Sequence, residues 1–405
     1  MPRFTCDSLA AMEFVLHWQD DGFAHQEHYY ARRVNAWRDI FPSHLRQDLE
    51  GAQPGDVVTC DIAPCETVAA AAPERVGVFP LRRFIRKTVA GRRISPHAGR
   101  FYPMGMLSGL PGVFPQTINP FRVLGIDGNN MTLDRNHPLA GRELALETRV
   151  LRVEDKRSET GGQMHHWLEE ICNWGPGMQA PLPEGPTQFV DDRFFVRTDQ
   201  SGDDTFYSKP RLIGHVDATA SENLKRAYSR FLKPGMCVLD LMASVQSHLP
   251  QEMDLEVVGL GMNLAEMEQN PRLAASVVHD LNAAPHLPGE IGTFDAVVCS
   301  LSLEYLTDPL AVLNSVRQHL KPGGWVLVGF SNRWFPTKAV EGWLDLHDFE
   351  RMGFVRQLLH EAGCGEKGQT MSFRNYPRPY QDHHFFETHG LGDPIFVVAV
   401  QKGVE

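Results

Sequence analysis

Four short apolar runs, separated by helix-length segments, dominate the chain between Pro234 and Asn332. They are Met236-Cys237-Val238-Leu239-Asp240-Leu241, Leu255-Glu256-Val257-Val258-Gly259-Leu260, Phe294-Asp295-Ala296-Val297-Val298-Cys299-Ser300 and Trp325-Val326-Leu327-Val328-Gly329-Phe330. Continuous Val/Leu runs without alternation belong to strands buried on both faces, and helical crossovers between them build an open parallel sheet. Such sheets bind ligands beyond the carboxyl ends of their strands. The site is therefore expected just after these runs, in an α/β domain.

At 405 residues the chain has room for two cores. Its formal charge of −11 argues against nucleic acid as the main partner, and the Arg82-Arg83 to Arg92-Arg93 segment reads as a solvated face. No stretch approaches the roughly 18 apolar residues of a membrane span. Seven cysteines without a Cys-x-x-Cys pair, and a start without an apolar signal segment, lead to the expectation of a reducing cytoplasm. His165-His166 and His383-His384 lack metal-ligand spacing, so no metal is expected.

In the first part, Glu13 to Trp18 predicts a strand ending at the Asp20-Asp21-Gly22 turn, followed by a helix over about 29–38. Ser43 is placed to cap a short helix that stops at Gly51. Pro54-Gly55-Asp56 turns into a strand over 57–60. These residues, with Asp134-Arg135-Asn136-His137-Pro138-Leu139-Ala140-Gly141 before the alternating strand Leu144 to Leu151, resemble FKBP-type prolyl isomerases with a domain inserted in the flap. The resemblance covers roughly residues 12–153 and implies a β-rich α+β domain. At the family's proline-pocket positions the chain offers Trp18, Ala24 or His25, and His44 in place of the usual Tyr, Asp and Trp. Little isomerase activity is expected, and a docking, gating or dimerising role is preferred. The domain is assigned to residues 1–160, and the Pro/Gly-rich stretch 161–205 is read as a linker.

From residue 206 onward, a lead-in and a helix over 218–232 precede the first apolar run, which ends in Asp240. The order of the runs, with Val277-Val278-His279-Asp280-Leu281-Asn282 and the Lys321-Pro322-Gly323-Gly324 turn, resembles class I S-adenosylmethionine-dependent methyltransferases over about 206–402. This implies a Rossmann-like domain with an antiparallel last strand, here Ile395 to Val400, and S-adenosylmethionine as cofactor. The family's Asp-x-Gly-x-Gly-x-Gly is replaced by Asp240-Leu241-Met242-Ala243-Ser244-Val245-Gln246, without its three glycines. The resemblance implies cofactor contacts from Asp240, Met242, Ser244, Gly261, Met262, Asn263, Asp280, Leu281, Asn282, Ser300 and Ser302. Asn263 stands near the ribose position and Asp280 at the adenine position.

Methyl transfer is an in-line displacement, so the protein chiefly positions the nucleophile and, where needed, removes its proton. Candidates in the lead-in are Tyr207, Arg211 and His215, and His248 follows the first strand. Tyr207 as positioner and His248 as base form the preferred pair. Tyr305, Asn332 and Arg333 are candidates for the acceptor. The favoured reading is methylation of a small molecule, with a small thiol or hydrogen sulfide as the concrete acceptor. The rivals are a protein methyltransferase whose first domain presents a proline-containing segment, and a non-catalytic chaperone or binding protein. A homodimer is compatible with either.

Overall fold

The computed structural model describes residues 2–63, 66–89, 92–156 and 162–404. It divides into two compact units. One holds residues 1–20, 27–191 and 345–354, and the other 21–26, 192–344 and 355–405.

In the first unit, β1 (Ser8–Asp20) and β2 (Phe23–Asn35) flank the Asp21-Gly22 turn. The helix expected over 29–38 is instead the second half of β2. Burial of residues 23, 25, 27 and 31 with more open positions between them is a period-two pattern, and two consecutive tyrosines favour a strand. After α1 (Ser43–Leu49) comes β3 (Val57–Ile62). The N-cap of α1 is Pro42 rather than Ser43, and it makes no side-chain cap bond. Strand β10 (Leu144–Asp155) pairs antiparallel with both β1 and β3.

Between β3 and β10 the chain inserts β4 (Val76–Pro80), the short pair β5 (Thr88–Val89) and β6 (Arg92–Arg93), β7 (Phe101–Pro103), β8 (Pro120–Asp127) and β9 (Asn130–Asp134). The order β4-β9-β8-β7 makes a separate antiparallel sheet, whose core is built on Phe84, Tyr102, Phe121, Val123, Met131 and Leu133. The Asn136-His137 corner that returns the chain to β10 is locked by its own side chains. Asn136 Nδ2 donates to Asp134 Oδ1 at 2.8 Å and to the Ala72 carbonyl at 3.2 Å, and Asn136 Oδ1 accepts from Ala72 N at 3.0 Å.

The stretch read as a linker, 161–205, is not a tether in its described part. Helix α2 (Trp167–Cys172) follows His166, whose ring accepts from Glu169 N. Trp167, Leu168, Ile171, Cys172 and Ala180 lie in the first unit's core. Prolines and glycines mark turns here, but residues up to 191 belong to the first unit and those from 192 to the second.

The second unit contains α3 (Asp203–Phe206), α4 (Ala218–Tyr228), β11 (Met236–Leu241), β12 (Leu255–Gly261), α5 (Leu264–Met267), β13 (Ala275–Val278), β14 (Phe294–Ser300), α6 (Pro309–His319), β15 (Leu320–Ser331), α7 (Glu341–Leu344), β16 (Lys367–Arg374) and β17 (Ile395–Gln401). Its strand order is β13-β12-β11-β14-β15-β17-β16. The first five are parallel, while β17 runs antiparallel to β15 and β16. The order reverses between β11 and β14, the switch point at which open α/β sheets bind ligands. The single helix expected over 344–362 is α7 and α8 (Asp348–Glu361) with a break between them. Strand β16 escaped the sequence reading because Gly368, Gln369, Thr370 and Ser372 interrupt its apolar pattern, although Thr370, Met371, Ser372 and Phe373 are buried. Residues 376–393 form the expected excursion, closed by a bridge between Pro377 and Leu391.

Candidate active site at the strand ends

A cavity of about 220 Å³ lies beyond the carboxyl ends of β11, β12 and β14. Its lining includes every residue selected from the sequence except Asn332, which is exposed. The resemblance supplied residue types, but the geometry assigns several of them different work.

The loop after β11 shows how the missing glycines are replaced. Met242 stands at the first glycine position and keeps the left-handed backbone, φ 60°. His248 and Leu301, also on the cavity wall, have φ 52° and 56°. Non-glycine residues pay about 1–2 kcal/mol in this region, so the surroundings must hold them there. The holding groups are polar. Ser244 Oγ donates to Glu266 Oε2 at 2.6 Å, and Asn270 Nδ2 donates to the Ser244 carbonyl at 2.9 Å and to Ser247 Oγ at 2.8 Å. Gly261 is required by contact, because a Cβ there would stand 2.2 Å from the Ala243 carbonyl oxygen.

Asn263 is not left for a ribose. Its Oδ1 caps α5 by accepting from Glu266 N, and its Nδ2 donates to the Tyr207 carbonyl at 2.9 Å. Asn282 is likewise fully engaged: Nδ2 reaches Asp203 Oδ2 at 2.7 Å and the Tyr305 carbonyl at 2.9 Å, while Oδ1 accepts from Thr307 N and Oγ1. Both are positioning residues. Asp280 differs, since the Asn282 and Ala283 amides both bond its Oδ1 and leave Oδ2 for a ligand. Ser300 Oγ is hydrogen-bonded to Tyr228 OH at 2.9 Å, and Ser302 Oγ donates to the Ser300 carbonyl at 3.1 Å. Leu281 and Met262 complete the apolar wall.

The lead-in is fixed by ionic contacts between residues that no local pattern pairs. Arg197 Nη1 meets both Asp203 oxygens at 2.9 and 2.8 Å, and the fully buried Lys338 lies 3.1 Å from Asp203 Oδ1 and 3.2 Å from Asp199 Oδ2. Burial opposes ionisation of Asp203, but the bonds from Arg197, Asn282 and Lys338 outweigh it and hold its carboxyl below the usual range. Asp203, Glu266, Gln246 and Phe335 are cavity residues missed in the sequence; Asp203 and Glu266 matched no motif position, while Gln246 and Phe335 lay inside stretches already noted.

Two groups of opposite charge remain incomplete. Asp240 is 2% exposed and its Oδ2 has no hydrogen-bond partner. Burial pushes its carboxyl up to about 7 against a partial offset from the Ser247 hydroxyl. Arg211 packs its guanidinium over Phe206 at 4.2 Å and Phe335 at 5.1 Å, donates through Nη2 to the Phe206 carbonyl, and leaves Nη1 buried without an acceptor. A buried polar atom without a partner costs about 1–3 kcal/mol, so both are poised to complete their bonding with a ligand.

His248, the expected base, is buried and already hydrogen-bonded. Burial first, then the charges of His215 and Lys225, lower it to about 3, and its Nδ1 is hydrogen-bonded to Ser221 Oγ at 2.9 Å. His215 is lowered too, chiefly by burial, and the Tyr207 phenol is raised by burial. Both imidazoles are neutral and the phenol protonated at pH 7. The Tyr305 hydroxyl accepts from Phe335 N at 2.9 Å and so fixes the loop after β15. Arg333 reaches His384 Nε2 at 3.3 Å.

Residues 247–326 match a family model described as a methyltransferase domain. A ubiquinone biosynthesis O-methyltransferase of Paraburkholderia xenovorans is 34% identical over 101 residues, which cover 24% of this chain and 41% of that protein. The chain thus spans less than half the length of this curated relative. Among solved structures, an S-adenosylmethionine-dependent methyltransferase of Archaeoglobus fulgidus is 14% identical, covers 45% of this chain and 92% of its own, and superposes with a TM-score of 0.32. A phosphoethanolamine N-methyltransferase 2 of Haemonchus contortus, in complex with phosphomonomethylethanolamine and S-adenosylhomocysteine, is 16% identical, with coverages of 45% and 53% and a TM-score of 0.30. Residues 247–326 of the second unit thus carry a methyltransferase domain.

Proposed function

We propose that the chain methylates a small-molecule nucleophile, and that the acceptor is a small thiol or hydrogen sulfide. The observation that carries the cofactor assignment is the pair of incomplete groups, Asp240 Oδ2 and Arg211 Nη1, in one cavity. An α-amino acid end offers an ammonium to the first and a carboxylate to the second. Asp280 Oδ2, beside Leu281, suits an exocyclic amine. These residues fit S-adenosylmethionine, which when bound supplies an electrophilic methyl on a sulfonium.

The acceptor class follows from what the cavity does not offer. Transfer forms a bond between the acceptor's lone pair and the methyl carbon while the carbon–sulfur bonding pair stays with sulfur. Neutral His215 and His248 and the phenol of Tyr207 can orient a nucleophile by hydrogen bonding but are poorly matched to deprotonating a hydroxyl at pH 7, and Asp240, the cavity carboxyl raised to about 7, is taken by the cofactor's ammonium in this reading. A thiol or hydrosulfide supplies its own anion and needs only positioning. The O-methyltransferase relative makes a hydroxyl acceptor the competing reading. Calorimetry with S-adenosylmethionine and S-adenosylhomocysteine, with Asp280→Ala as control, tests the cofactor site. Methyl transfer to sulfide and small thiols against phenols tests the acceptor; turnover of phenols alone overturns the thiol assignment.

For the first unit we favour an FKBP-like domain with an inserted subdomain and little isomerase activity. Support comes from the sheet β1-β10-β3 with α1 and from the separate sheet inserted between β3 and β10. Trp18 is 2% exposed with Nε1 bonded to Glu27, and His44 Nε2 is hydrogen-bonded to the Asp61 carbonyl, so neither forms an open aromatic floor. Binding of a proline-containing peptide by the full chain would favour the protein-methyltransferase or chaperone alternatives.

A further inference from the structure

A second concavity, of about 280 Å³, adjoins the first. Ile213, Gly214, Gln246 and His248 line both and form the partition between them. The partition is built rather than accidental. Gln246, at the third of the absent glycine positions, donates to Ser221 Oγ at 3.1 Å, and the same hydroxyl meets His248 Nδ1. Replacing a glycine by a long polar side chain has thus raised a wall on the cofactor loop.

The charged groups lining the second concavity are Lys225 and Arg272, and no carboxylate is among its lining residues. In a chain of net charge −11 this is a local inversion. Lys225 pairs at 2.6 Å with Glu222, whose side chain is 69% exposed, so its charge is only weakly compensated. Lys225 also lowers the proton affinity of His248, which places its field on the partition. Arg272 Nη2 donates to the Met253 carbonyl at 3.2 Å, while its buried Nε has no acceptor. Leu212, Val245 and Leu249 supply apolar wall.

We propose that this second concavity anchors the methyl acceptor and takes a small organic anion, an apolar carbon skeleton ending in a carboxylate or phosphate. For its nucleophilic end to reach the cofactor cavity, the Gln246 side chain must leave its hydrogen bond to Ser221. The proposal rests on the methyltransferase reading and narrows the thiol class to acidic thiols.

The test is calorimetry on the full chain, with and without S-adenosylhomocysteine, using 3-mercaptopropionate, its neutral isostere 3-mercaptopropionamide, and inorganic phosphate. A charge-assisted hydrogen bond of about 1.5–3 kcal/mol gives the acid a preference of roughly tenfold or more over the amide. Arg272→Gln and Lys225→Gln should each reduce that preference, Arg272→Lys should retain part of it, and S-adenosylhomocysteine affinity should stay at the wild-type value. Equal binding of acid and amide, or a preference that survives in the double variant, overturns the proposal. Failure to bind S-adenosylhomocysteine would instead sink the methyltransferase reading, and the anion titrations without it would still decide the pocket.

Discussion

Replacing Asp240 by Asn should stabilise the ligand-free protein while weakening its cofactor affinity at least a hundredfold. The carboxyl is raised from 3.8 to about 7 because ionisation takes place away from water with Oδ2 unpartnered. Between those values the folded state holds a proton that the unfolded chain has released, so stability falls as pH rises through the window and is lowest above pH 7. At about 1.36 kcal/mol for each tenfold in proton affinity, the loss reaches about 4 kcal/mol. Asn keeps the shape without the charge. Its advantage should be near zero below pH 4, grow through the window and level off above pH 7. Denaturant unfolding of both proteins from pH 4 to pH 8 measures this. An ammonium ligand needs the ionised form, so wild-type affinity for S-adenosylhomocysteine should drop about tenfold per pH unit below 7, and the Asn variant should bind at least a hundredfold more weakly, about 2.7 kcal/mol. An Asn variant no more stable than wild type at pH 8, or one that binds the ligand normally, would refute the reasoning.

Met242→Gly should relieve a left-handed backbone and raise stability by about 0.5–1 kcal/mol in a melting experiment. Asn282→Ala removes bonds to Asp203, Tyr305 and Thr307 and should cost about 3 kcal/mol along with cofactor affinity, read by unfolding and calorimetry. Lys338→Met leaves Asp203 with Arg197 but takes a charge from a buried cluster; a loss of about 3 kcal/mol is expected in denaturant unfolding. At saturating S-adenosylmethionine, kcat/KM for the acceptor should follow the thiol's own ionisation, and changing to a thiol of different pKa should move the inflection with it.

How much was legible before the structure differs by element. The parallel strands β11, β12, β14 and β15 and the antiparallel β17 were readable because burial leaves unbroken apolar runs, whereas the largely exposed edge strand β13 was readable only from its place in the order of runs. Strand β16 was not, since its buried Thr370 and Ser372 are polar in the sequence and become core positions only through their neighbours. Strand β2 was misread where Arg32 and Arg33 obscured its alternation. The stretch 162–191 looked like a tether because turn residues mark it throughout, whereas Trp167, Leu168, Ile171, Cys172 and Ala180 are buried in a core.

The candidate site shows the same division. Chain order located the strand ends, and with them most of the selected site residues, because a parallel sheet directs its loops to one edge. The type of each residue did not reveal whether it faces a ligand or a neighbour. Asn263 and Asn282 are held by the protein itself, and Asp240, Arg211 and Asp280 keep atoms to offer. Hydrogen bonds such as Asn282 to Asp203 join residues 79 positions apart, and no local pattern encodes them. The sequence alone determined the sheet and the edge where chemistry occurs, because these follow from hydrophobic periodicity. Which polar groups remain unsatisfied there was decided only by tertiary structure, since satisfaction depends on partners that folding brings from distant parts of the chain.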